Sequence, residues 1–159
     1  MKAYTTLGAL ALASLSSASQ ATTVTHSLSP TPSSFTASGS TTLSNKLVTN
    51  LVCTAKFSGT VVSGVATIHA AAFTGGFLCP TVKPLLPWYI TATGTGKGNV
   101  TKVKVSAPLT GTCGPGTVPI TATTNHITFS GVVLNPGACS VKGTITDVDT
   151  KAPKYITAK

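Results

Sequence analysis

The sequence predicts an all-β domain, an antiparallel sandwich or barrel of about seven or more strands that is stabilised by disulfides. Thr, Val, Ser, Gly and Ala dominate its 159 residues, and the β-branched Thr and Val fit a pleated sheet better than a helix. The 15 Gly and 10 Pro recur every few residues, which suits short strands joined by turns. Apolar and polar residues also alternate with a period of two, which indicates strands with one buried face.

The alternation defines the predicted strands. In 47–57, Leu47 shares one face with the apolar residues of the strand. Lys102 and Lys104 alternate with Val103 and suit an edge strand, where charge discourages pairing between molecules. A Gly-rich stretch, 94–99, predicts a tight turn between two strands. The same period of two runs through 88–93, 102–105, 118–123, 126–133 and 139–146.

The first residues have the features of an export signal. Lys2 supplies a positive start, and 7–15 (LGALALASL) is an apolar run of signal-peptide length. The small residues Ser19 and Ala21 fit cleavage after Ala21, and cleavage after Ser19 is the alternative. The run is shorter than the about 20 residues that a membrane-spanning helix needs. We therefore expect a secreted protein, either extracellular, at the cell surface or in the periplasm.

The predicted organisation has four parts. Residues 1–21 are a signal peptide, and the polar, Pro-bearing residues 22–33 are a flexible lead-in. Residues 34–148 form a single β domain, and 149–159 form a polar tail. The mature chain keeps ten Lys and two Asp, which gives it a net charge of +8.

The four cysteines agree with export, because disulfides persist in oxidising compartments. Their spacing matches neither a CxxC redox pair nor a zinc knuckle. Four cysteines allow three pairings, and two equal separations of 26 residues favour Cys53–Cys79 and Cys113–Cys139. The two closed segments share a loose repeat, in which a His precedes a Phe and a Gly, so each is predicted to contain a hairpin.

Candidate catalytic groups are few. The chain has no Glu and only two Asp, Asp147 and Asp149. Its three His, which are His26, His69 and His126, have no evident nucleophile and orienting carboxylate around them. Two Asp are also too few for a hard-cation site, which takes six or more oxygen ligands. We predict no catalytic, cofactor-binding or metal-binding residues and no enzymatic activity.

The charge balance predicts anionic neighbours. A cell-surface polyanion or an anionic surfactant would be attracted to a chain with this charge. Specific binding of nucleic acid is not expected, because the chain has no Arg, the residue that makes the commonest base-edge contacts.

One apolar cluster, 84–89 (PLLPWY), holds the only Trp. Its two prolines make it a stiff, extended entry into a strand. One interpretation is an anchor in the core. The other is an exposed patch that meets lipid or hydrocarbon, with Leu85, Leu86, Trp88 and Tyr89 as candidate contact residues.

Several stretches of the chain resemble a known family, and the resemblance runs from about Phe35 to Ile145. They are SFTASGSTTLS from Ser34, CTAKFSGT from Cys53, Leu78-Cys79 with Leu86-Pro87-Trp88, Cys113-Gly114, and ITF from Ile127. These stretches resemble the alkane-oxidation protein activator family, small exported bacterial proteins linked to growth on n-alkanes and, in some relatives, to cell-surface adhesion. The resemblance implies a role in alkane use, and it supplies no catalytic residues.

Two functions of different classes follow. The resemblance favours a secreted, non-enzymatic accessory protein that promotes alkane uptake or oxidation through an apolar surface. The alternative is a structural cell-surface adhesin or biofilm matrix component, which needs only a durable β fold with a Thr- and Lys-rich face.

Overall fold

Alternating hydroxyl and apolar residues form strands throughout the described part of the chain. The computed structural model describes residues 26–27, 33–123, 126–147 and 157–158. A short 3-10 helix (Cys79–Thr81) lies among the strands, and within these ranges no helix has the length and apolar character needed to cross a membrane. The strands are β1 (His26–Ser27), β2 (Ser33–Ser44), β3 (Leu51–Val62), β4 (Val65–Gly75), β5 (Lys83–Pro84), β6 (Trp88–Gly94), β7 (Lys97–Ala107), β8 (Gly111–Ala122), β9 (His126–Leu134), β10 (Cys139–Asp147) and β11 (Thr157–Ala158).

Eight of these strands close into an antiparallel barrel in which each pairs with the next along the chain. The order is β2, β3, β4, β6, β7, β8, β9 and β10, and β10 then pairs with β2 from Ser140↔Ser44 to Asp147↔Ala37. β5 adds a short ladder to β7, and β1 pairs with β11. The predicted all-β, antiparallel fold is confirmed, and it is an up-and-down barrel rather than a sandwich.

Inward-facing side chains from every barrel strand fill the interior. Leu134 and Val61 have no exposed surface, and burial of such side chains stabilises the fold by roughly 1.5–3 kcal/mol each. Two glycines make room for aromatic rings on neighbouring strands. A Cβ at Gly59 would lie 2.9 Å from the ring of Phe35, and a Cβ at Gly143 would lie 2.9 Å from Cζ of Phe129. The rings therefore cover the gaps that the glycines leave in the barrel wall.

Both predicted disulfides are present, and all four cysteines are paired. Cys53–Cys79 joins the start of β3 to the 3-10 helix. Cys113–Cys139 joins β8 to the start of β10. The closed segments contain the β3–β4 and β8–β9 hairpins, so the pairing predicted from the equal spacing is confirmed.

Two local expectations are wrong. Leu47 lies in the loop between β2 and β3 and is 80 % exposed, because the side chain of Asn45 bonds the backbone N–H of Leu47 and Val48 and turns the chain. Lys102 and Lys104 lie on β7, which is not an edge strand, since β6 and β8 pair with its two sides. The strands before and after β7 in the barrel supply both partners, which the charge of a single strand does not reveal.

The predicted signal peptide, 1–21, lies outside the described residues. So do most of the predicted lead-in, 22–33, and most of the polar tail, 149–159. The boundaries of these segments stay predictions.

Candidate functional site

The barrel has two unlike ends because its strands run alternately up and down. One end, which we name the turn end, carries the short turns 63–64 and 95–96. The other, which we name the loop end, carries both disulfides. Its connections are 45–50, 76–87, 108–110 and 135–138.

Three connections at the loop end present large apolar side chains to solvent. Phe77 is 93 % exposed, Leu47 is 80 % exposed and Leu109 is 50 % exposed. Leu85, in the same connection as Phe77, is 44 % exposed. Exposed apolar surface in neighbouring loops is a candidate contact surface for lipid, hydrocarbon or another molecule. We name these four residues the apolar tip.

Asn45 fixes two of the loops that carry the apolar tip. Its Oδ1 accepts hydrogen bonds from the backbone N–H of Leu47 over 2.9 Å and of Val48 over 2.7 Å. Its Nδ2 donates to the carbonyl of Thr110 over 3.5 Å, which joins the loop before β3 to the turn before β8. This hydrogen bond links the loop that carries Leu47 to the turn that carries Leu109, the residue before Thr110.

The connection that carries Phe77 is held by covalent and local bonds. Cys79, two residues after Phe77, is bonded to Cys53 on β3. The hydroxyl of Thr81 donates to the carbonyl of Leu78 over 2.6 Å and closes the 3-10 turn. The disulfide and this hydrogen bond therefore hold the backbone that directly follows Phe77.

The four contact residues predicted from the sequence lie in different environments. Trp88 is 4 % exposed and belongs to the core, and Leu86 is half-buried and packs against that core. Tyr89 is half-buried on the outer wall, where the ammonium of Lys102 lies 5.0 Å from its ring centroid. Leu85 is exposed. The structure does not bring the four onto one surface, and their contact role stays a prediction.

Sequence reasoning missed Leu47, Phe77 and Leu109. Phe77 follows Gly75 and Gly76 and precedes a Cys-Pro step. The sequence does contain a signal for Phe77. A large apolar residue in a Gly- and Pro-rich connection belongs to no alternating strand that would bury it, so its exposure could have been predicted.

Positive charge accompanies the apolar tip. Lys46 precedes Leu47 and is exposed, and Lys83 on β5 is exposed as well. Asp147, one of the two acidic residues of the sequence, is the last residue of β10, which finishes at the turn end. The loop end therefore combines apolar side chains with lysines.

The histidines of the barrel stand on its outer wall. His69 Nε2 lies 2.9 Å from the hydroxyl of Thr60, and both side chains are exposed. His126 is exposed at the start of β9. Across the described ranges, no group of three His, Cys, Asp or Glu side chains is placed to hold a metal ion. Apolar contact beside positive charge is the chemistry that the loop end offers.

A row of exposed hydroxyl side chains crosses six adjacent strands, from β8 through β9, β10, β2 and β3 to β4. The hydroxyl oxygens of its first two members, Thr121 and Thr128, are 2.6 Å apart. Neighbouring strands are about 4.8 Å apart, so the row forms a continuous hydrophilic band. We name it the hydroxyl row, and its members in register are Thr121, Thr128, Thr144, Ser40, Thr54 and Thr74.

Comparison with known proteins identifies the family. A family model described as alkane oxidation protein activator PraA/PraB-like matches residues 1–154. The chain matches no curated protein and no solved structure. The matched range covers the whole barrel and agrees with the resemblance in the short sequence stretches. The chain belongs to the PraA/PraB-like alkane oxidation protein activator family.

Proposed function

We propose that the protein is a secreted, non-enzymatic accessory that promotes alkane uptake or oxidation by contacting hydrocarbon through the apolar tip. The observation that carries the proposal is the exposure of Phe77, Leu47 and Leu109 at one end of the barrel. The loops that carry them are held by a disulfide and by hydrogen bonds. An alkane has no polar group, so a protein can hold it only by removing apolar surface from water.

The size of the apolar tip suits reversible contact. Burial of one Leu or Phe side chain stabilises a complex by about 1.5–3 kcal/mol. Association costs about 4–15 kcal/mol in lost translational and rotational freedom, so the four side chains of the tip give weak binding for each molecule. Lys46 and Lys83 add attraction to the anionic surfactants and carboxylates that collect at an oil surface.

Three features support the location and the absence of catalysis. The residues before Thr22 have the pattern of an export signal. Both disulfides suit an oxidising compartment. The family is described as an activator, and the chain's two Asp and lack of Glu leave few groups for acid–base chemistry.

A droplet-binding assay tests the proposal. The tip variant carries Leu47→Ser, Phe77→Ser and Leu109→Ser. The matched control carries Val62→Ser and Val65→Ser, which are exposed at the turn end. On hexadecane droplets we expect the tip variant to lose most of its binding and the control to keep it. Equal binding by the two variants would contradict the proposal.

The alternative function, a structural adhesin or matrix component, is favoured by the hydroxyl row. A band of exposed hydroxyls across six strands offers many hydrogen-bonding groups to a hydrated surface. A gene deletion separates the two functions. Lost growth on long-chain alkanes supports the accessory role, whereas normal growth with lost surface attachment supports the adhesin.

A further inference from the structure

One seam of the barrel is closed only near the turn end. β8 and β9 pair through Thr121↔Thr128 and Ala122↔Ile127. On its other side, β8 pairs with β7 from Lys97 to Ala107. Most of the length shared by β8 and β9 therefore lies outside their ladder.

The sequence explains the opening. Pro115 and Pro119 on β8 have no N–H to donate, and Pro within a sheet occurs where no ladder bond is needed. Gly131 on β9 has a φ of 58°, in the left-handed region, and the register of the β9–β10 ladder shifts beside it, between Val141 and Gly143. Toward the loop end Leu134 fills the seam, since a Cβ at Gly116 would lie 2.7 Å from its Cδ2. The seam stays open between this plug and the short ladder.

A groove of about 320 Å³ lies along the open part of the seam and extends over the neighbouring residues of β6 and β7. This volume lies at the lower end of the roughly 300–1,000 Å³ of small-molecule sites. Its floor is apolar, with Ile120 3 % exposed and Phe129 and Val132 half-buried. Its rim is polar and includes Thr121, Thr128 and Lys97.

We propose that this groove binds a single-chain anionic amphiphile, with the alkyl chain on Phe129 and Val132 and the carboxylate at the ammonium of Lys97. An uncharged alkane would gain nothing from the lysine or the rim hydroxyls, which would stay bonded to water and to each other. A cationic head group would be repelled by Lys97, and among the described residues that line the groove none is a carboxylate. A long-chain carboxylate satisfies both the floor and the rim.

The groove and the apolar tip are separate sites. The groove reaches the turn end through Lys97, the first residue of β7, whereas the tip lies at the loop end. Long-chain carboxylates are also the class of product that full oxidation of a terminal methyl group of an alkane yields. The groove would thus bind a product-like molecule while the tip contacts the hydrocarbon.

Titration of the mature, isotope-labelled protein with dodecanoate below its micelle concentration tests the proposal by NMR. Dodecyltrimethylammonium, which has the same chain with a positive head, is the ligand control. Lys97→Met removes the charge and keeps the stem, and Lys56→Met on the exposed face of β3 is the matched protein control. Thr121→Trp, at an exposed position, fills the groove from its rim.

We expect dodecanoate to shift the amides of Ile120, Phe129 and Val132. Lys97→Met should weaken binding about three- to fivefold at low salt, as for a solvent-exposed ion pair. Lys56→Met should not weaken it, and Thr121→Trp should abolish the shifts in the groove. Equal affinity for the two head groups, or equal effects of the two lysine variants, would overturn the proposal. So would shifts confined to the apolar tip, which would support hydrocarbon contact there instead.

Discussion

The indole N–H of Trp88 donates a hydrogen bond to the backbone carbonyl of Leu85 over 2.9 Å. The bond satisfies the only polar atom of a side chain that is otherwise buried among apolar groups, as a buried Trp requires. The same bond holds the backbone of Leu85, whose own side chain is exposed at the loop end. Trp88 thus packs in the core and positions Leu85, another residue of the predicted contact cluster, at the surface.

Trp88→Phe should lower the free energy of unfolding by about 1–3 kcal/mol, because the carbonyl of Leu85 loses its donor and the smaller ring leaves a void. Leu85→Ser is the matched control and should change it by no more than about 0.5 kcal/mol, since the side chain is exposed. Urea denaturation measures both. A Trp88→Phe variant as stable as the wild type would contradict the buried position of the indole.

Gly59→Ala should destabilise the barrel by about 1–3 kcal/mol, because the added methyl group meets the carbonyl oxygen of Thr67 and the ring of Phe35. Gly76→Ala is the control, since its Cβ would meet nothing within 4 Å. That change should be near neutral or stabilise by up to about 1 kcal/mol. Thermal unfolding compares the two, and equal Tm values would count against the close packing of β3 on β4.

Cys113→Ala should lower the free energy of unfolding by about 2–5 kcal/mol, because the 26-residue segment is no longer closed. It should also leave Cys139 as a free thiol. Thiol titration of the denatured protein provides the second measurement. The wild type should show no free thiol before reduction, and one that reacts would argue against the pairing.

The exported protein should begin at Thr22. The small residues Ser19 and Ala21 fit the recognition pattern of the cleaving enzyme. Intact-mass analysis of the exported protein measures the N-terminus, with protein expressed without export as the uncleaved control. A product that begins at Gln20 would support the alternative site, and one that keeps Met1 would contradict export processing.

Local patterns predicted the elements that local sequence determines. The Gly-rich stretch 94–99 contains the β6–β7 turn, where Gly96 has a φ of 64°. Equal spacing also predicted both disulfides, because each closes a single hairpin-containing segment. Closure of the barrel is different, since it depends on the pairing of β2 with β10. The alternation within β2 or β10 does not indicate which strand it pairs with, so the sequence does not distinguish a barrel from a sandwich.

The candidate site was hard to predict for a related reason. A dense apolar segment such as 84–89 suggests a contact surface. Such segments also form protein cores, and Trp88 is in the core. The apolar tip consists of single residues in separate loops, such as Leu47 and Phe77. An isolated residue has no periodicity, and only the fold brings these residues to one end.

The order of the strands around the barrel is also the order in which a chain synthesised from its N-terminus delivers them. Each ladder between consecutive strands can form as soon as its second strand is available, and such local pairing avoids the entropy cost of closing long loops. The β2–β10 ladder is the one barrel ladder that joins the first barrel strand to the last, so it must wait for almost the whole barrel to be synthesised. Until β10 arrives, β2 presents an unpaired edge, and such edges are where nascent chains join one another. The rate of this final step therefore sets how long each new molecule stays vulnerable to aggregation.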